Sequence, residues 1–276
     1  MGELKHVSRN RSLSLHQITA MAAGPVGLVK IAAETGCDGV CIFTYLPRSA
    51  ARSGFPAVTE ASKGEMKSAL AAHSVSVSNI EFFPVTENAL LADMVPALAL
   101  GAELGAKCAV CHVHDPVESR AVDTLGQLAD LAASLGLNLG LEFMGITPGC
   151  RTIQQAAWFV DQVGRPNLGL AVDMLHLVRT GGTAQEIAAL DPRYFAYAQI
   201  CDGKGLHLSS DYRNEALNRV FPGEGDFPIR AILEALPVSC PIDVEVPTKG
   251  VIKPAAWAAE AVRCSRLLID QASMIS

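Results

Sequence analysis

The sequence predicts an α/β protein, a (β/α)8 TIM barrel, and three observations support this fold class. Eight short apolar segments of strand length alternate with eight helix-like segments along the 276 residues. Such regular alternation is typical of parallel strands joined by helical crossovers. Eight units also fit the size of this barrel, which typically needs about 250 residues. No Pro/Ser-rich linker or charge tract divides the chain, so we expect a single domain over residues 1–276.

The strand candidates are rich in Val, Ile, Leu and Phe and are bounded by Gly, Pro, Asn or Asp. Segments that are apolar almost throughout are expected for parallel strands buried on both faces. In chain order the predicted strands are 12–18, 38–43, 75–82, 106–114, 138–143, 167–173, 194–200 and 241–246.

The helix candidates are amphipathic, and several end at a glycine such as Gly36, Gly136 or Gly164, which is typical of a helix C-terminus. Pro96, inside the third helix, is expected to bend or split it. In chain order the predicted helices are 25–36, 57–73, 87–105, 117–136, 152–163, 183–191, 227–236 and 253–273.

An open, doubly wound sheet is the alternative to the barrel. Such sheets usually have a Gly-rich phosphate loop after the first strand. Here the first strand leads into HQITAMAAGP, which contains neither a G-x-G-x-x-G motif nor a P-loop,. The barrel is therefore favoured.

One segment, 202–226, breaks the alternation because it is polar, Gly-rich and long for a connection,. We interpret residues 203–225 as an insertion that ends in the sequence PGEG. It is expected to act as a lid or substrate loop over the barrel mouth, or as an arm that contacts a second subunit.

Composition limits the classes of partner. Half of the residues are hydrophobic and 18% are charged, which is ample for a large core. The net charge of −6 and the sequence pI near 5.6 argue against a nucleic-acid partner, since phosphate binding needs a basic face,. The N-terminal residues lack the apolar core of a signal peptide, and no run of about 18 apolar residues predicts a membrane span. We expect a cytoplasmic protein.

The eight cysteines do not form a convincing metal motif. The CAVC sequence at 108–111 comes nearest, but along a strand its two thiols would point to opposite faces. We therefore expect buried free thiols in a reducing compartment.

Four oxygen-bearing side chains lie near the ends of the last four strands: Glu142, Asp173, Gln199 and Glu245. The C-terminal strand ends of this fold meet at one face, where active sites lie. Three carboxylates together would repel one another, and a divalent cation would relieve that repulsion. An all-oxygen set suits Mn²⁺ or Mg²⁺ best, with Co²⁺ or Zn²⁺ as alternatives. Any one of these residues could instead form a buried ion pair or cap a helix.

Further polar residues are expected around the same mouth. Glu81 would bind a substrate hydroxyl or form a structural ion pair. Asp202 would orient a substrate group or a neighbouring side chain. The loop cations are either substrate ligands or solvated charges. The complete set of additional candidates is Glu81, His112, His114, His176, Asp202, Lys204 and Arg213, with Arg48, Arg52 and His207 on nearby loops.

Four motifs, in this order along the chain, closely resemble the xylose isomerase-like TIM-barrel superfamily: LEF, VDMLH, AQICDG and VEVP. The resemblance spans nearly the whole chain. It implies that Glu142, Asp173, Gln199 and Glu245 are metal ligands and that His176 contacts the substrate. It also implies a small-molecule carbonyl or polyol substrate and a homo-oligomer, either a dimer or a tetramer.

The resemblance implies an isomerase or epimerase of a sugar, polyol or ketose that works through an enediolate. In the epimerases of this superfamily the glutamates equivalent to Glu142 and Glu245 act as bases on opposite substrate faces. Many epimerases have His where this chain has Gln199, and this difference favours the alternative, a lyase of the 3-dehydroshikimate or inosose dehydratase kind. Such a lyase could use His112 or His114 as a catalytic acid or base.

Two further hypotheses for the function are disfavoured by the sequence. Endonuclease IV belongs to the same superfamily, but it needs additional histidines and a basic groove, whereas this chain is acidic and has seven histidines. An inactive barrel that serves as a binding subunit is also disfavoured, because a buried acidic cluster without a metal would only destabilise the fold.

Overall fold

The eight strands form one closed barrel in sequence order, and every neighbouring pair, including the first and last strands, is parallel. The computed structural model describes residues 11–47, 54–248 and 253–274. The predicted fold class is therefore confirmed. The strands are β1 Leu13–His16, β2 Gly39–Phe43, β3 Ser76–Val85, β4 Cys108–Val113, β5 Asn138–Glu142, β6 Leu168–Asp173, β7 Phe195–Ile200 and β8 Ile242–Val244.

Helices surround the barrel, and two short 3₁₀ segments, Gln17–Ala23 and Pro192–Tyr194, lie among them. The α-helices are α1 Gly24–Glu34, α2 Lys63–His73, α3 Leu91–Glu103, α4 Glu118–Ser134, α5 Ile153–Val163, α6 Met174–Arg179, α7 Ala184–Ala188, α8 Tyr212–Glu215, α9 Ile229–Ala235 and α10 Pro254–Ser273. None of the helices in the described ranges is long and apolar enough to cross a membrane.

Some predicted boundaries differ from the structure, and helix α6 was not predicted. Strand β3 continues past Glu81 to Val85, with an irregular register against β4. Helix α6 follows β6 directly, because the Asp173 side chain caps it by accepting the backbone N–H of Leu175 at 2.6 Å,. Helix α2 begins at Lys63, six residues later than expected from the 57–73 pattern.

Pro96 does not split helix α3, which runs through it. A proline in a helix removes one N–H and leaves the carbonyl four residues earlier without its partner. Here both Pro96 and Ala92 are exposed, so that carbonyl can bind water and the interruption is tolerated.

The apolar side chains divide into two clusters. The larger cluster fills the space between strands and helices. The smaller one lies within the barrel and contains Cys108, Val110, Ala171 and Tyr197. Cys111 belongs to the outer cluster, so the two thiols of the CAVC sequence do point to opposite faces. All eight cysteines are free and buried.

The insertion is closed at its base by Asp202. This buried carboxylate accepts four backbone N–H groups at 2.8 to 3.1 Å. Gly225 makes this possible, because a Cβ there would lie 2.0 Å from Asp202 Oδ1. The four donors are Gly203, Gly223, Gly225 and Phe227, so Asp202 joins the two ends of the segment.

Arg179, at the end of α6, holds the insertion onto the barrel. Its fully buried side chain binds the Glu215 carboxylate at 2.9 and 3.0 Å and the carbonyls of Lys204 and Gly205 at 2.8 and 2.5 Å. The guanidinium also lies 4.9 Å from the centre of the Phe227 ring, a cation–π contact.

Candidate active site

The four predicted strand-end residues lie at the same end of the barrel, and each is at most 5% exposed. Glu142 and Asp173 are the last residues of β5 and β6, and Glu245 directly follows β8. Strand register pairs Asp173 with Gln199. The barrel therefore concentrates three carboxyl groups and an amide in a space with little access to solvent.

The carboxyl groups of this cluster differ in pKa. Burial, together with the charge of Asp173, raises the pKa of Glu142 well above its usual range. Burial likewise raises the pKa of Glu245. At Asp173 burial acts in the same direction, but the nearby Arg219 and His176 outweigh it and lower the pKa. One acid is thus held ionised beside two that resist ionisation.

The positive charge comes from Arg219, which the sequence analysis missed. Its side chain is 2% exposed, and its Nη1 and Nη2 lie 2.7 Å from Asp173 Oδ2 and 2.8 Å from Glu245 Oε1. Arg219 belongs to the insertion, where an arginine usually remains at the surface. The available signal was the acidic cluster itself, since three buried carboxyl groups require a cationic partner.

Two histidines flank Glu142. His112 Nε2 lies 2.7 Å from Glu142 Oε2, and His176 Nε2 lies 3.5 Å from Glu142 Oε1. Phe82 stacks on the His112 ring with 5.4 Å between the ring centres. Burial lowers the pKa of both His112 and His176 to about 4, so both imidazoles are neutral at pH 7.

His114 lies at the edge of the same site. Its ring centre is 6.1 Å from that of His112, and its buried Nε2 has no hydrogen-bond partner in the described part of the chain. Burial, His112 and the nearby charge of Arg213 lower its pKa to about 4. His114 also lines a neighbouring cavity of about 560 Å³, together with Phe82 and Tyr45.

Glu81 forms an ion pair rather than an open substrate ligand. Its Oε1 lies 3.0 Å from His16 Nε2, and both side chains are buried. The pairing with His16 lowers the pKa of Glu81 in spite of its burial. Of the two roles predicted for Glu81, the structural ion pair is the one that the geometry supports.

The structure also shows the surroundings of three other predicted site residues: Asp202, Lys204 and Arg213. Asp202 has four backbone partners and closes the insertion, and its predicted contact with substrate stays a prediction. The Lys204 ammonium bonds to the carbonyl of Glu224, and both Lys204 and Arg213 are exposed. Arg48 and Arg52 lie outside the described residues.

Among the residues that the structure describes, two groups of side chains offer possible metal ligands. In the first, atoms of Glu142, Asp173 and His176 lie within 4.8 Å of one another; the second is His16, Cys41 and Asp243, one strand layer deeper. In the second group, the Glu81 and Glu245 carboxylates raise the pKa of His16 to about 10 in spite of its burial. At pH 7 both ring nitrogens of this imidazolium carry protons, and neither can ligate a metal.

The first group fits a divalent cation better. Within the described residues, two of its neighbouring buried oxygens, Gln199 Oε1 and Glu245 Oε2, have no hydrogen-bond partner. Unsatisfied buried oxygens beside carboxyl groups with raised pKa values are the environment that a cation would stabilise. The donor chemistry of Glu142, Asp173, Gln199 and Glu245 therefore fits a bound metal ion.

The fold and site together define a TIM barrel with a buried acidic cluster at the C-terminal ends of its strands. A sequence model described as "Xylose isomerase-like TIM barrel" matches residues 29–268. The chain therefore belongs to the xylose isomerase-like TIM-barrel family.

Three individual proteins illustrate this similarity. Inosose isomerase of Bacillus subtilis is 30% identical over 126 residues, 45% of this chain and 44% of the relative. 3-Dehydroshikimate dehydratase of Pseudomonas aeruginosa is 31% identical over 131 residues, 46% of this chain and 20% of the relative. These alignments span less than half of each curated relative.

A crystal structure of the IOLI protein with a bound zinc atom shares the fold. It superposes with a TM-score of 0.80 and 19% identity over 94% of this chain and 98% of that chain. At this identity the similarity concerns the fold alone.

Proposed function

We propose that this protein is a divalent-metal-dependent isomerase or epimerase that acts on a sugar, polyol or ketose. The observation that carries the proposal is the buried cluster of Glu142, Asp173, Gln199 and Glu245. The pKa values of Glu142 and Glu245 are raised, and two buried oxygens of the cluster have no hydrogen-bond partner among the described residues. Similarity to an inosose isomerase supports the choice of reaction.

The cluster would hold the cation through its four oxygen-bearing side chains, with Mn²⁺ or Mg²⁺ as the favoured ions. When bound, the metal supplies Lewis-acid stabilisation of negative charge on a substrate oxygen, worth several kcal/mol. Glu142 and Glu245 would take and return the proton on the carbon next to the carbonyl, as general bases and acids. His112 orients Glu142 through the 2.7 Å contact, and His176 faces the same carboxylate as a substrate contact.

A second candidate is a dehydratase. His112, neutral and 2.7 Å from Glu142, could take the proton from the carbon next to the carbonyl as a general base, and the resulting imidazolium could then give that proton to the departing hydroxyl, which leaves as water,. Gln199, in the position where many epimerases have His, and the similarity to a 3-dehydroshikimate dehydratase favour this reading.

The test is an assay of chelator-stripped protein refilled with Mn²⁺, Mg²⁺, Co²⁺ or Zn²⁺. Inososes, ketoses and 3-dehydroshikimate are the substrates. Deuterium incorporation next to the carbonyl without loss of water is the expected result. A new conjugated product, detected by its absorbance, would instead establish the dehydratase. If no metal gave either signal, both the isomerase or epimerase and the dehydratase would be contradicted, and an inactive barrel would remain.

Glu142→Gln is the variant that tests the site directly. It keeps the size of the side chain but removes the base, so we expect the rate to fall by about 10²- to 10⁴-fold. Glu118→Gln, an exposed change on α4, is the matched control and should keep full activity. An active Glu142→Gln variant would contradict the proposed role.

A further inference from the structure

Tyr212 reaches from the insertion into the active site and contacts His176. Its hydroxyl oxygen lies 2.5 Å from His176 Nδ1. The two rings meet edge to face, with 5.6 Å between their centres and 75° between their planes. Both residues are buried, at 6% and 4% exposure, so solvent does not compete for this hydrogen bond.

A second contact fixes the direction of the bond. The backbone N–H of Gly145 points at the same phenolic oxygen at 3.4 Å. An oxygen that already accepts one hydrogen bond can give its own proton to Nδ1. The reverse arrangement would turn the buried O–H away from its nearest acceptor, which is unfavourable. Tyr212 is therefore the donor and His176 Nδ1 the acceptor.

A neutral imidazole that accepts at Nδ1 carries its proton on Nε2. That nitrogen faces the acids of the site, 3.5 Å from Glu142 Oε1 and 3.8 Å from Asp173 Oδ2. A protonated ring nitrogen cannot ligate a metal, although it can donate a hydrogen bond to a substrate oxygen. The proximity of His176 to Glu142 and Asp173 thus does not make it a ligand.

We propose that Tyr212 is a positioning residue that fixes His176 in the Nε2–H tautomer. It thereby keeps His176 as a hydrogen-bond donor toward substrate and outside the metal coordination sphere. The part of this inference that concerns substrate and metal rests on the proposed function, whereas the position of the proton does not.

The surroundings of Tyr212 are shaped for this contact. A Cβ at Gly145 would lie 2.9 Å from Tyr212 Cε1 and 3.0 Å from Thr180 Cγ2, so only glycine leaves room for the ring. On the other side, the ion pair between Arg179 and Glu215 holds α8 in place. The tyrosine is thus constrained from both the barrel and the insertion.

The proton position can be measured on full-length, metal-stripped protein labelled with ¹⁵N-histidine. Two-dimensional ¹H–¹⁵N spectra show which ring nitrogen carries the proton, and the His176 signal is assigned by its loss in His176→Gln. We expect Nε2–H in the wild type. Tyr212→Phe should shift the tautomer ratio about tenfold toward Nδ1–H, the effect of one hydrogen bond.

Tyr194→Phe is the matched control, because that hydroxyl bonds to Asp161 at the surface; its His176 signal should be unchanged. Gly145→Ala should displace the tyrosine ring and shift the ratio in the same direction as Tyr212→Phe, which protects the test if either variant folds poorly. A proton on Nδ1 in the wild type, or an unchanged His176 in both site variants, would overturn the inference.

Metal affinity gives a second readout. Imidazole nitrogen suits Zn²⁺ better than Mn²⁺, so releasing His176 should strengthen Zn²⁺ binding by about tenfold and leave Mn²⁺ binding nearly constant. Calorimetric titration of the wild type and Tyr212→Phe with each metal alone measures this. An equal change in the affinity for both metals would contradict the proposal that Tyr212 keeps His176 outside the metal coordination sphere. Loss of turnover with every metal, with the tautomer result intact, would count against the proposed function alone.

Discussion

The ends of strands β5 to β8 and the insertion 203–225 contribute opposite parts of one site. The strand ends supply acids, Glu142, Asp173 and Glu245, at positions set by barrel geometry. The insertion has little regular structure beyond the short helix α8, yet it supplies the buried Arg219 and Tyr212. The barrel thus places a cluster of like charges that is unfavourable by itself, and the insertion partly neutralises it.

The largest effect that would test this division is expected from Arg219→Met. The change leaves Asp173 and Glu245 buried without their cationic partner, so we expect a loss of about 3–5 kcal/mol in the free energy of unfolding. Urea denaturation of metal-stripped protein measures it. Arg213→Met, an exposed change in the same insertion, should alter stability by no more than about 0.5 kcal/mol. Equal stability of the two variants would mean that the insertion is not needed to balance the acids.

The next largest effect is expected at Asp202. Replacement by Asn weakens the charge-assisted bonds to four backbone N–H groups and should cost about 1.5–3 kcal/mol. Because these bonds lie at the base of the insertion, amide hydrogen exchange should rise in residues 203–227 more than in the strands. Asp211→Asn, an exposed residue just before α8, serves as the control. A uniform rise over the whole barrel would show that the insertion and barrel unfold as one unit.

The third effect is a pH dependence that belongs to the strand ends. The raised pKa values of Glu142 and Glu245 mean that the folded protein keeps protons that the unfolded chain has lost. Stability therefore falls as the pH rises above about 4.3, the usual pKa of a glutamate, by up to about 1.4 kcal/mol per pH unit for each group. The low pKa of about 4 for His112 and His176 acts oppositely, but only below about pH 6.5,.

A comparison of variants separates the carboxyl effect from that of the histidines. When metal-stripped protein is denatured at a series of pH values above about 4.3, Glu245→Gln should lose less stability with rising pH than the wild type. Glu118→Gln should keep the slope of the wild type. Because the two carboxyl groups interact, the slope belongs to the pair. An unchanged slope in Glu245→Gln would assign the pH dependence to other groups.

The positions of the site residues at the strand ends could be predicted from the sequence. Glu142, Asp173, Gln199 and Glu245 each interrupt an apolar strand, and strand periodicity together with the barrel rule brings such residues to one face. The ligand and substrate roles of these residues stay predictions, as do the oligomeric state and the role of the insertion as a lid or arm. His112 could be placed beside Glu142 by the same reasoning, since their strands are neighbours.

The site residues that the insertion supplies could not be predicted in the same way. Nothing in the polar sequence of the insertion separates Arg219, which is buried, from Arg213, which is exposed, because a loop has no periodicity that assigns side chains to faces. The backbone contacts of Asp202 could not be predicted for a related reason. Three of its four partners are backbone amides more than twenty residues away, and sequence carries no direct signal for them.

The sequence by itself determined the alternation of strands and helices, the closed parallel barrel and the convergence of acids at its C-terminal end. These follow from local periodicity, which each segment expresses independently. The tertiary structure decided how the charge of those acids is balanced and which histidine nitrogen carries a proton. Both depend on contacts between the insertion and the barrel, whose free energies arise when distant residues are buried together.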